Sequence, residues 1–162
     1  MKEAEINIRR HSGIFTLEAR QCINTGLEEA WSFFSHPSNL SLITPSSMEF
    51  KITSGEPEEM YEGQIITYRI GILPLIKSNW VTEITRVKRA AYFIDEQRSG
   101  PYKIWHHEHH FRETEDGIEM LDRVTYKIPL GIAGRIVHYL FIRKQLINIF
   151  TYRKKVIIDY LA

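Results

Sequence analysis

Apolar and polar residues alternate with period two along most of this chain, and the period turns helical only near the C-terminus. The first alternating run, Phe15 to Ile23, places Phe15, Leu17, Ala19, Gln21 and Ile23 on one strand face. Thr25-Gly26-Leu27-Glu28 has the form of a capping box and predicts a helix from Leu27 to about Phe34. Ser35-His36-Pro37 ends it, and a second short helix is expected from about Pro37 to Leu42. Six further strands follow: Met48 to Ser54, Gly63 to Ile72, Lys77 to Lys88, Ala91 to Arg98, Lys103 to Arg112, and Ile118 to Ile128. Each is bounded by turn residues. From Ile132 to Tyr160 one apolar stripe is expected, carrying Ile136, Leu140, Leu146, Ile149, Phe150 and Ile157.

Consecutive strands joined by short turns imply an antiparallel sheet. Such a sheet needs cover on its apolar face, and the long terminal helix is the only large element on offer. The expected class is therefore α+β: a curved sheet of about seven strands wrapped around a C-terminal helix. A gap between sheet and helix would suit a ligand. Residues 1–162 are read as one domain, with residues 1–12 either a flexible or an edge segment.

Composition adds exclusions. The formal net charge is +1, so no global field recruits nucleic acid. The lone Cys22 excludes an internal disulfide and fits a reducing, cytoplasmic setting. The N-terminal residues are too charged for a signal peptide, and Ile136 to Phe150, interrupted by Arg143-Lys144-Gln145, is too short and too charged to span a bilayer.

Candidate chemistry concentrates in Trp105-His106-His107-Glu108-His109-His110-Phe111. Alternation puts Trp105, His107, His109 and Phe111 on one face, a mixture that suits a wet or ligand-filled cavity. It puts His106, Glu108 and His110 on the other, which suits solvent. In the next strand Asp122 is the one acid on an apolar face with Met120, Val124 and Tyr126, so it needs a donor. A neighbouring histidine is the nearest candidate type. The pair is either a structural contact closing the cavity wall, a polar anchor for a ligand, or an acid–base couple. Arg153 is read either as an amphipathic side chain with its head in water or as a buried cation facing the cavity or Asp122. His-x-His can hold zinc, but no third or fourth ligand is evident at metal-site spacing, so no metal and no cofactor are expected. The apolar stretches Ile70 to Ile76 and Ile128 to Gly134 are read first as a cavity rim, with Gly131 and Gly134 as hinges. Mutual packing and transient membrane contact are the further options.

The order of elements resembles the helix-grip fold of the SRPBCC superfamily, which includes START lipid-transfer domains, the birch-pollen allergen group, aromatic polyketide cyclases and coenzyme-Q-binding proteins. More narrowly it is similar to bacterial ligand-binding SRPBCC domain proteins. The residues that carry the resemblance are Trp31 to Leu40 with Ile43-Thr44-Pro45, Gly100-Pro101-Tyr102, and Trp105-x-His107-x-His109-x-Phe111. Asp122-x-Val124-x-Tyr126-x-Ile128-Pro129-x-Gly131 and Gln145 to Arg153 complete it. The resemblance implies a hydrophobic ligand cavity and names neither ligand nor reaction. The expected lining is Tyr68, Trp80, Trp105, His107, His109, Phe111, Asp122, Val124, Tyr126, Phe150 and Arg153. The expected role is binding of a small hydrophobic or aromatic molecule such as a lipid, a quinone or a polyketide. A cyclase or dehydratase using His/Asp acid–base help, and a membrane-docking lipid or quinone chaperone, are the rivals.

Overall fold

The computed structural model describes residues 6–55, 59–73 and 76–161. Its strands are β1 (Ile6–His11), β2 (Ile14–Ile23), β3 (Lys51–Ile52), β4 (Ile65–Leu73), β5 (Ile76–Lys88), β6 (Tyr92–Ser99), β7 (Ile104–Thr114) and β8 (Gly117–Lys127). Helix α1 (Leu27–Phe34) and 3₁₀ turns at Pro37–Ser41 and Ser46–Met48 fill the β2–β3 connection. At the C-terminus, α2 (Gly131–Val137) runs through a π turn at His138–Ile142 into α3 (Arg143–Leu161). The strands form one antiparallel sheet in the order β1-β2-β8-β7-β6-β5-β4-β3. This is the curved sheet around a C-terminal helix expected from the alternation, and the helix-grip arrangement that the resemblance implies.

The sheet has one strand more than the seven expected. Ile6 and Ile8 alternate with polar neighbours, and Ser12 and Gly13 both take positive φ (48° and 78°), the requirement of a tight two-residue hairpin turn. The segment is therefore an edge strand. Register shifts along β5, between Val81 and Thr82 and again between Ile84 and Arg86, mark bulges that bend the sheet around its contents. The strand expected over Met48–Ser54 shrinks to Lys51–Ile52, because a 3₁₀ turn takes Ser46–Met48.

Two local expectations fail. Thr25 does not cap α1: the cap residue is Gly26 without a side-chain bond, Thr25 Oγ1 donates to Glu29 (2.8 Å), and Glu28 pairs with Arg89. The C-terminal stripe also breaks. Leu146, Phe150 and Ile157 are buried, but Ile136 and Leu140 are 56% and 63% exposed. The π turn supplies the reason. Its wider turn rotates everything beyond it, so α2 and α3 do not present one continuous face.

Two groups of buried side chains build the interior. One joins Trp31 and Phe34 of α1 to Ile84, Phe93, Phe111, Ile118, Met120 and Ile157. The other joins Phe15, Leu17, Val124 and Tyr126 to Leu146 and Phe150. Gly134 serves the packing of the helix start. A Cβ there would lie 1.9 Å from the Pro129 carbonyl oxygen, so the helix starts against the preceding loop only because position 134 has no side chain.

Candidate functional site

Between the concave sheet and α3 lies a cavity of about 160 Å³. Its walls draw on both buried groups. Tyr68, Trp80, Tyr102, Trp105, Phe93 and Phe150 supply aromatic surface, and Ile66, Ile70, Ile72, Ile84, Leu146 and Ile149 supply aliphatic surface. The rings interlock: Tyr68 stacks on Trp80 (5.7 Å between centroids), and Trp80 meets Trp105 edge-on (5.2 Å). Trp80 is buried, and its indole N–H has no partner among the described residues.

Of the residues expected at the site, Tyr68, Trp80, Trp105, His107, His109, Phe150 and Arg153 line this cavity. Phe111, Asp122, Val124 and Tyr126 do not. Phe111 packs against Trp31 and Phe34, with centroids 5.8 and 5.3 Å apart, and does not reach the cavity surface. Val124 and Tyr126 pack behind the wall with Phe15 and Leu17, where the Tyr126 hydroxyl meets His138 Nε2 at 2.8 Å. Alternation correctly gives these side chains an inward face. It does not tell a cavity wall from the core behind it. Of the apolar stretches read as rim, Ile70 and Ile72 line the cavity, whereas Leu130 and Ile132 are exposed.

The polar part of the wall is a buried network on three neighbouring strands. The β6–β7 register sets Asp95 opposite His107, and the β7–β8 register sets His109 opposite Asp122. The two imidazoles lie 3.7 Å apart between centroids, one residue pair along β7. His107 Nε2 donates to Asp122 Oδ1 (3.0 Å), and His109 Nε2 donates to Asp95 Oδ2 (2.8 Å). His107 Nδ1 stands 3.6 Å from Asp95 Oδ2. His109 Nδ1 is 2.9 Å from Asp122 Oδ1, but its N–H direction misses that oxygen and it has no aligned partner. Arg153 Nη1 closes the network 4.0 Å from Asp122, with its guanidinium 4.9 Å above the Phe150 ring. Of the two readings of Arg153, the structure gives the buried cation.

Burial would raise both carboxyls, but the His107 hydrogen bond and the close His109 imidazole outweigh it at Asp122 and hold that group well below the usual carboxylate range. At Asp95, too, burial pushes upward, and the His109 bond with the His107 charge brings the balance below the ordinary value. The histidines split. Burial, reinforced by the charge of His109, keeps His107 below its ordinary value. Burial acts the same way on His109, but the adjacent Asp122 carboxylate and the bond to Asp95 overcome it and raise its pKa. The two imidazoles are thus pushed in opposite directions, His107 toward its neutral form and His109 toward its charged one. With its proton on Nε2, His107 keeps a free lone pair on Nδ1.

Asp95 is the site residue that the sequence reading misses. Its signal is Phe93-x-Asp95: an acid two residues from a buried aromatic shares that aromatic's face. It also alters the metal question. The expectation of no metal rested on a missing third ligand, and β6 brings a carboxylate oxygen within 4.8 Å of ligand nitrogens on both histidines. The outer face of β7 is the solvated one, where His106 meets Glu96 and His110 meets Glu108, both at 2.8 Å.

No protein-family model matches the chain, and no curated protein matches it. Solved structures do. Protein Ms6760 from Mycobacterium smegmatis superposes with a TM-score of 0.67 at 15% identity, covering 96% of this chain and 97% of that one. A Rhodobacter sphaeroides protein gives 0.68 at 14% identity with coverages of 96% and 97%. Major latex-like protein 151 from Panax ginseng gives 0.68 at 11% identity with coverages of 93% and 99%. These likenesses are of fold: the chain shares with these structures a curved antiparallel sheet gripping a long C-terminal helix, the helix-grip arrangement.

Proposed function

We propose that this protein binds a small aromatic or cyclic molecule carrying an oxygen acceptor, held between the sheet and α3. The observation that carries the reading is a cavity with a largely aromatic and aliphatic wall that also carries buried polar groups with unspent hydrogen-bonding capacity. That capacity comprises the Trp80 indole N–H, the Arg153 Nε–H and the lone pair of His107 Nδ1. Size narrows the class. A dry cavity of about 150 Å³ accommodates benzene, so about 160 Å³ suits a single ring or a compact bicycle. A lipid or an extended polyketide would need the sheet and helix to part.

Trp80, Trp105 and Tyr102 make intrinsic fluorescence a direct reporter. Native mass spectrometry of protein purified from its own host should retain a molecule of one or two rings. Titrating that molecule should quench the fluorescence. Trp80→Phe should weaken binding by roughly tenfold, the upper end for a lost hydrogen bond of about 0.5–1.5 kcal/mol. Retention of a long-chain lipid, or binding unaffected by Trp80→Phe and Arg153→Met together, would defeat the reading.

One observation favours a second reading, a carrier that docks on membranes. Leu130, Ile132, Ile136, Tyr139, Leu140 and Phe141 are all more than half exposed around α2 and the π turn, with Arg135, Arg143 and Lys144 nearby. Among the described residues no helix is long and apolar enough to cross a membrane. Flotation with anionic liposomes, lost on Leu140→Glu with Phe141→Glu, is the expected result on this reading. No flotation of the unaltered protein would remove it.

A further inference from the structure

We infer that Asp95, His107 and His109 form a mononuclear site for a divalent first-row transition-metal ion, with Asp122 as its orienting carboxylate and its open positions turned to the cavity. The donors come from adjacent strands of one sheet, so their spacing is fixed by register rather than by a loop. Asp95 Oδ2 lies 2.8 Å from His109 Nε2 and 3.6 Å from His107 Nδ1. Ligands bound at about 2.0–2.2 Å around one ion stand roughly 3–3.5 Å from each other, so modest side-chain rotations admit the ion. Two histidines and one carboxylate on one side of an ion are a recurrent set for such metals, and they leave positions free for an exogenous ligand.

The far side of the histidines strengthens the assignment. Each ring has one nitrogen toward Asp95 and its other nitrogen toward Asp122 Oδ1, at 3.0 Å for His107 Nε2 and 2.9 Å for His109 Nδ1. A carboxylate behind metal-bound histidines fixes their tautomers and rotations. It also explains the buried, unaligned His109 Nδ1. With Nε2 on the ion, the ring's proton sits on Nδ1, which faces Asp122 Oδ1 at 2.9 Å. Charge agrees. With both imidazoles neutral, Asp95 and Asp122 exceed Arg153 by one negative charge, and a dication turns this to one positive charge. The bound ion then favours an anionic or oxygen-bearing ligand in the aromatic cavity. The metal site does not depend on that ligand, since the ion alone can be tested.

The test uses untagged, metal-free full-length protein titrated with Co²⁺ and Zn²⁺ by calorimetry and visible absorption. One equivalent should bind, with a cobalt spectrum that zinc abolishes. The double variant His106→Gln/His110→Gln, which removes the outer-face imidazoles, should bind unchanged. Asp95→Asn should weaken binding at least tenfold, and Asp122→Asn by about 10–100-fold. Should these variants fail to fold, anomalous diffraction from wild-type crystals soaked in Co²⁺ decides: a peak among Asp95, His107 and His109 supports the site. Absence of stoichiometric binding, a peak on the outer face of β7, binding abolished by the outer-face variant, or full affinity in folded Asp95→Asn would each overturn it.

Discussion

His138 should make the fold acid-sensitive. It is 1% exposed within the π turn, stacked on Phe15 at 3.7 Å between centroids, with Nε2 against the Tyr126 hydroxyl and Nδ1 unpartnered. Burial, helped by the nearby Arg143 charge, pushes its pKa down to about 4 from an ordinary 6.5. Because the unfolded chain binds this proton more readily, stability rises with pH through that interval. The contribution is complete above 6.5, declines as pH falls, and is exhausted below about 4. A pKa unit corresponds to about 1.4 kcal/mol, so the whole effect is about 3 kcal/mol, of which about 2 is lost by about pH 5. His107 titrates in the same sense and His109 in the opposite one, so the raw curve mixes them. Urea unfolding of wild type and of His138→Gln, at several pH values between about 4 and 7, isolates the term. Gln has no charge to gain, and its fixed cost cancels in the slope. The gap between the two proteins should shrink by about 2–3 kcal/mol on acidification. Parallel curves would show that His138 does not pay for its burial, and the reasoning would be wrong.

Other outcomes follow from the same contacts. Asp122→Asn should cost about 1–3 kcal/mol in chemical denaturation, because the negative charge that faces His107, His109 and Arg153 is replaced by a neutral amide; an unchanged midpoint would mean the network carries no stability. Phe150→Ala should cost about 3–5 kcal/mol, nearer the lower figure since one side of the ring already faces the cavity. Gly134→Ala should lower the melting temperature through overpacking of about 1–3 kcal/mol against Pro129; a neutral result would mean the helix start is free to shift.

Much of this fold was legible because a period of two survives in nearly every strand. The inward phase of His107 and His109 needed only the alternation between Trp105 and Phe111. What stayed hidden depends on relations between strands. Asp95 joins the histidines through the β6–β7 register, which no single strand encodes. The exposure of Ile136 and Leu140 depends on one π turn, and apolar periodicity assumes uniform helical geometry throughout. The capping box failed because Glu28 found a better partner in Arg89, far along the chain.

The strand order also dictates when this protein can be finished. Apart from the N-terminal hairpin partner β1, β2 pairs only with β8, so Leu17 waits for Val124, roughly 100 residues later. At about 5–20 residues per second of synthesis, the wait lasts roughly 5–20 s. During it the Phe15–Ile23 strand has one open edge and an apolar face without its cover. The Asp122 pairs of the polar network form only when β8 docks, and Arg153 joins only once α3 has left the ribosome. Long-range pairing of this kind slows folding, which makes the nascent β1–β2 hairpin the segment most in need of a chaperone.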